Sequence, residues 1–119
     1  MDDFIFLVEN KESAKNIMNK IIHFLDKNLH LELNKKSRYY PNKFGCDFCG
    51  YIVFENYILL RKRFKNKIKK KIKKWNNFYI NNKLDKKKFL MQWNCCLAHA
   101  NHANSYNFLN SCKKKLYML

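Results

Sequence analysis

Residues 61–75 read Arg-Lys-Arg-Phe-Lys-Asn-Lys-Ile-Lys-Lys-Lys-Ile-Lys-Lys-Trp, with ten Lys or Arg among the first fourteen positions. A run this charged is ordinarily a solvated or disordered tract. Phe64, Ile68, Ile72 and Trp75 break that pattern: they recur at i, i+4, i+8 and i+11, along one line of a helix. The spacing predicts a helix that docks through a stripe one residue wide, with the rest of its circumference facing solvent or phosphate. The stripe is expected to be core rather than a platform for stacking bases.

Downstream, Asn76, Asn77, Asn81 and Asn82 suggest a polar linker, followed by a helix over about residues 85–99 and a shorter one over about 104–112. Upstream, Cys46-Asp47-Phe48 leads through Gly50 into Tyr51-Ile52-Val53-Phe54, and Glu55-Asn56 reads as a turn before Tyr57-Ile58-Leu59-Leu60. This block is expected to be a small antiparallel sheet. Nearer the N-terminus, Asn10 is a candidate N-cap, followed by Ala14, Ile17, Met18, Ile21, Ile22, Leu25 and Leu29 on one helix face, which predicts a helix over about 11–28. Phe4 to Val8 has the length and character of a strand, and Leu31-Glu32-Leu33 and Arg38-Tyr39-Tyr40, the latter stopped by Pro41, are shorter strand candidates. The fold class expected is α+β: strand, long helix, small sheet, then basic helices.

With 119 residues, the chain can bury roughly two thirds of its unfolded surface as one domain. Two glycines, one proline and 16% aromatics rule out a fibrous or disordered composition. No stretch approaches the eighteen or so uninterrupted apolar residues of a membrane span, and the N-terminus lacks a signal-peptide layout, so a cytoplasmic location and no membrane partner are expected. Five cysteines, an odd count, then point to reduced thiols.

Charge is distributed unevenly. Residues 1–56 carry eight basic and eight acidic side chains, whereas residues 57–119 carry seventeen basic side chains against Asp85 alone. An AT-rich coding sequence could favour 22 Lys and 17 Asn over 3 Arg, but it would act on both halves alike. A strongly positive half beside a neutral one points to a polyanion, most often nucleic acid.

Four landmarks, in order, resemble the C-terminal half of bacterial reverse transcriptases of the group II intron, retron and diversity-generating kind. Met1-Asp2-Asp3-Phe4 resembles the Tyr-x-Asp-Asp catalytic turn from its second residue onward. The helix that follows, with Leu31-Glu32-Leu33-Asn34, is similar to the palm helix and its next strand. Asp47-Phe48-Cys49-Gly50-Tyr51 resembles the Asp-Phe-Leu-Gly-Tyr primer grip, with Cys in place of Leu. Leu60-Arg61-Lys62-Arg63 and His102-Ala103-Asn104-Ser105-Tyr106 resemble the opening and closing of the thumb, although residues 94–101 lack the glycine expected before His102.

The resemblance implies a palm remnant over residues 1–60 and a helical thumb over 61–119. Asp2 and Asp3 would be catalytic and would bind magnesium for two-metal phosphoryl transfer. Phe48, Gly50 and Tyr51 would meet the primer 3′ end. Arg61, Lys62, Arg63, Lys65, Lys69 and Lys73 would contact the backbone of an RNA-template and DNA-primer duplex. In this family the fingers and a further metal-ligating Asp precede the catalytic turn. The chain is therefore expected to be inactive alone, needing a separate chain that carries the fingers and the rest of the palm.

Two rival patterns remain. A stand-alone basic nucleic-acid-binding module would keep the thumb surface without catalysis. A zinc module could use Cys46 and Cys49, spaced as in a zinc knuckle, with Cys95, Cys96, His99 and His102. Cys46 and Cys49 also fall at apolar positions of the primer-grip hairpin, where cysteine commonly packs, and packing is the expected role. His99 and His102 have no Ser, Cys or carboxylate placed by sequence to complete a triad and are expected on helix surfaces. Protein purified without added metal is expected to contain no stoichiometric zinc by elemental analysis. One zinc per chain, lost in Cys49→Ser, would reverse the packing assignment.

Overall fold

A computed structural model describes residues 3–119. They form two compact units, one that ends at Pro41 and one over Asn42–Leu119. The fold is α+β, with four α-helices and a three-stranded antiparallel sheet among the described residues.

In the first unit Asn10 caps the helix as its sequence position suggests. Its side-chain oxygen accepts a hydrogen bond from the Ser13 amide at 2.8 Å, satisfying one of the donors that a helix start leaves open. Helix α1 spans Lys11–Phe24 and passes into a π-helical turn at Leu25–Leu29, closed by His30 in the left-handed region. Its apolar face is half-buried and no residue of it is fully buried. Phe6, Ile17, Ile21 and Phe24 line a shallow apolar depression.

Residues 4–8, 31–33 and 38–40 are irregular rather than extended strands. Strand propensity is realised only when a neighbour completes the ladder, and the one sheet among the described residues contains only later segments. Phe4, Ile5, Phe6 and Leu7 consequently remain exposed.

The second unit begins with a 3₁₀ turn at Asn42–Phe44, followed by β1 (Cys46–Phe48), β2 (Tyr51–Val53) and β3 (Ile58–Leu60). Phe48 faces Tyr51 and Tyr51 faces Leu60 across the ladders, so these three project from one side of the sheet. Leu60 is buried with Ala100 and Leu109, and Tyr51 packs against that cluster. The outer edge of β3 is completed by Asn104: its side-chain Oδ1 accepts from the Ile58 amide at 2.9 Å, and its backbone N–H donates to the Ile58 carbonyl at 2.8 Å. The sheet thus belongs with the helices, and the compact units divide before it.

Helix α2 runs over Lys62–Ile80, α3 over Lys86–Asn101 and α4 over Tyr106–Lys113. Helix α2 does not stop at the asparagines: Asn76 and Asn77 are helical, and the turn comes at residues 81–82. Asp85 caps α3 by accepting from the Lys88 amide at 3.0 Å. The stripe is core as expected. Ile68, Ile72 and Trp75 are buried with Phe89, Trp93, Cys96, Cys112 and Leu116, and Phe64 packs against them. Trp75 meets Phe89 and Trp93 edge-to-face, with ring centroids 5.0 and 6.3 Å away, an arrangement that suits the ring quadrupoles. Deep in the helical corner the Ser105 hydroxyl donates to the Ala100 carbonyl at 2.7 Å.

Truncating Trp75 removes the widest side chain of the stripe, 5% exposed in the fold. Trp75→Ala is expected to lower stability by about 3–5 kcal/mol. Phe24→Ala, at an exposed position of the first unit, should cost well under half of that. Urea unfolding followed by circular dichroism measures both.

Candidate nucleic-acid interface

Once the stripe of α2 is buried, the direction of every other α2 side chain follows from helical spacing. Lys62, Lys65, Lys69 and Lys73 recur at steps of three, four and four, and share one flank. Arg63, Lys67, Lys70 and Lys74 form a second row with steps of four, three and four. Lys62, Lys69 and Lys73 are exposed, and Lys65 is half-buried with its stem along the protein. From Lys62 to Lys73 the first row spans roughly 16 Å, about half a helical turn of duplex.

The six basic residues expected to bind nucleic acid therefore do not all share one surface. Lys62, Lys65, Lys69 and Lys73 come together, while Arg63 belongs to the other row. Arg61, at the N-cap of α2, is engaged by a carboxylate: its Nε donates to Asp47 Oδ1, both side chains being solvent-accessible. At such exposure the pair contributes little to stability, but it holds the guanidinium against β1.

The primer-grip-like segment forms the β1–β2 hairpin. Cys49 and Gly50 are its two central residues, with φ of 49° and 94°, the positive values that a tight type I′ connection needs. A side chain at Gly50 would also bring its Cβ within 3.1 Å of His99 Cε1. His99 is not a plain surface residue. Its ring stacks on Tyr51 at 4.7 Å and touches Phe64 at 4.3 Å between centroids. The Tyr51 hydroxyl donates to the His99 carbonyl at 2.8 Å. Phe48, Gly50 and Tyr51 are accordingly half-buried, and the turn is seated on α3. Sequence patterning missed His99 because the contact joins residues 48 positions apart.

The expected metal ligands are placed less fully. Asp2 lies outside the described residues. Asp3 is exposed in irregular backbone, and no three His, Cys, Asp or Glu side chains converge to hold a metal among the described residues. Cys49, expected to pack, is instead exposed, because it is a central residue of the hairpin turn; Cys46 is half-buried in β1, and Cys96 and Cys112 are buried in the helical core. No helix is long and apolar enough to cross a membrane among the described residues.

No protein-family model matches the chain, and a search of curated proteins finds no match.

Burial pushes the Cys96 thiol above its ordinary value of 9.0, against the opposing pull of Lys71 and Lys67. Burial does the same for Cys112, opposed by Lys115 and Lys69. An acid whose folded-state value is raised keeps its proton longer in the folded chain. The stability from these neutral thiols is thus fully present below about pH 9 and lost as pH rises through the folded values. Urea melts at rising pH are expected to show wild type losing stability above pH 9 faster than Cys96→Ala/Cys112→Ala. A thiol reagent at pH 8 should modify Cys49 and Cys95 quickly and Cys96 and Cys112 only on unfolding.

Proposed function

We propose that this chain grips a template–primer duplex as the palm-end and thumb portion of an RNA-directed DNA polymerase, a reverse transcriptase. The observation that carries the proposal is the geometry of the basic stretch of α2, residues 62–75: its apolar stripe is buried, so what that stretch offers to a partner is cationic. A basic amphipathic helix that inserts in a membrane keeps an apolar face free for the lipid along its basic length, whereas Ile68, Ile72 and Trp75 of α2 are buried and its exposed apolar side chains, Phe78, Tyr79 and Ile80, are confined to its last turn. Its unit, residues 42–119, holds eighteen basic and three acidic side chains. A row of four lysines spaced along one flank suits the regular phosphates of a duplex and carries no base preference, as a moving polymerase requires.

The four ordered sequence landmarks support the polymerase assignment. In it Asp2 and Asp3 bind magnesium, which would neutralise charge on the transferring phosphates. Phe48, Gly50 and Tyr51 lie at the primer, and a separate chain can contribute fingers and the remaining palm. A second reading, a duplex-binding module without catalysis, is favoured by one observation. Residues 4–8 after the carboxylates are irregular, whereas a catalytic turn needs a strand on each side.

Fluorescence anisotropy with an RNA–DNA hybrid should give a log K that falls with log salt by about 0.9 per neutralised phosphate, for a slope of roughly −3 to −4 from the lysine row. Lys65→Gln/Lys69→Gln/Lys73→Gln should flatten that slope by about 2 to 3. A wild-type affinity independent of salt contradicts duplex binding in either form. Primer extension with magnesium, alone and with added finger and palm chains, distinguishes the two: incorporation abolished by Asp2→Ala supports the polymerase.

A further inference from the structure

Beyond α4 the chain does not trail away. Leu116 is 5% exposed, inserted in the same core as Ile72, Trp75 and Cys112. Asn76 on α2 fastens the backbone on both sides of it: its Nδ2 donates to the Lys115 carbonyl at 2.7 Å, and its Oδ1 accepts from the Tyr117 amide at 3.2 Å. One side-chain amide thus holds two backbone groups that a tail would otherwise leave to water. Turn bonds from the Lys114, Lys115 and Leu116 amides to the carbonyls of Asn110, Cys112 and Lys113 set the path between α4 and this clamp.

The position of the clamp gives it a consequence. Asn76 follows Lys73, Lys69 and Lys65 by three, seven and eleven residues, and so lies on the flank of α2 that carries the lysine row. The backbone it holds begins at Lys115, directly after Lys113 and Lys114 at the end of α4, so that three consecutive exposed cations stand at the clamp. Lys115 and Lys69 both act on the Cys112 thiol, which agrees with the tail lying beside the row. A free lysine tail would wander and contribute only diffuse attraction, whereas cations fixed on a folded surface can match phosphate positions.

We infer that Lys113–Lys115, at the end of α4 and the start of the clamped turn, is a second phosphate-binding element that continues the α2 lysine row, so that one polyanionic duplex is held by both. The inference rests on the duplex-binding reading and adds to it a binding element remote in sequence and the residue that positions it. Asn76 acts through the tail and touches no phosphate itself.

Anisotropy titrations of the full chain with a 20-base-pair RNA–DNA hybrid across a salt series test this. Lys113→Gln/Lys114→Gln/Lys115→Gln is expected to flatten the slope of log K against log salt by about 0.9 for each phosphate no longer neutralised, about 2 to 3 in all. Lys86→Gln/Lys87→Gln/Lys88→Gln, which removes the same charge from the start of α3, should change it by less than half as much. Asn76→Leu keeps every charge, and its slope should flatten by up to about 1, because Lys115 is no longer fixed; wild-type slope in this variant overturns the positioning role. Equal slopes for wild type and the 113–115 variant, or equal flattening by the two triple variants, overturn the inference while leaving duplex binding intact. Absence of binding by wild type fails the underlying reading instead. Vesicles containing phosphatidylserine are the competing probe: if they displace the hybrid from wild type but not from the 113–115 variant, the element serves an anionic lipid surface and the inference is wrong.

Discussion

Charge repulsion within α2 is the problem that the second unit has to solve. Residues 61–74 contain ten pairs of like charges three or four positions apart: six at four and four at three. At about 0.2–0.5 kcal/mol each, they disfavour an isolated helix by roughly 2–5 kcal/mol. Burial of Ile68, Ile72 and Trp75 returns about 1.5–3 kcal/mol per side chain, roughly 5–9 in all. Packing therefore wins, but only if α3 and α4 cover the stripe. The helix exists because its neighbours do.

The same packing determines what the unit presents outward. With the apolar line inside, lysines project on both flanks, and the sheet is locked to the helices by Asn104 on the edge of β3 and by His99 under Tyr51 and Gly50. The hairpin turn and the start of the lysine row thereby belong to one compact unit and meet at the contact of Arg61 with Asp47. A surface of this kind can recognise a regular array of phosphates by position as well as by net charge.

Much of this architecture is legible in the sequence because it is local. The Asn10 cap, the stripe at steps of four and the turn at Gly50 each depend on residues a few positions apart, and each falls where its pattern puts it. What the sequence conceals is non-local. Residues 4–8, 31–33 and 38–40 have strand-like side chains, but a strand is defined by a partner, and pairing is not written in the segment itself. Asn76 and Asn77 resemble a linker by composition, yet the surrounding apolar spacing carries the helix through them, and the use of Asn76 depends on a tail 39 residues later. Of the candidate interface, the basic character of α2 was readable, while its division into two rows and the engagement of Arg61 needed the burial direction of the helix and the fold of β1.

If one flank of α2 seats a nucleic-acid duplex, its lysines must become inaccessible when the duplex binds. Lysine acetylation footprinting, read by mass spectrometry with and without a saturating RNA–DNA hybrid, addresses this residue by residue. Strong protection of Lys65, Lys69 and Lys73 is expected, with unchanged labelling of Lys35 and Lys36 in the first unit. Uniform protection across all lysines, or labelling of the α2 row unaffected by the hybrid, would contradict a duplex seated on this flank.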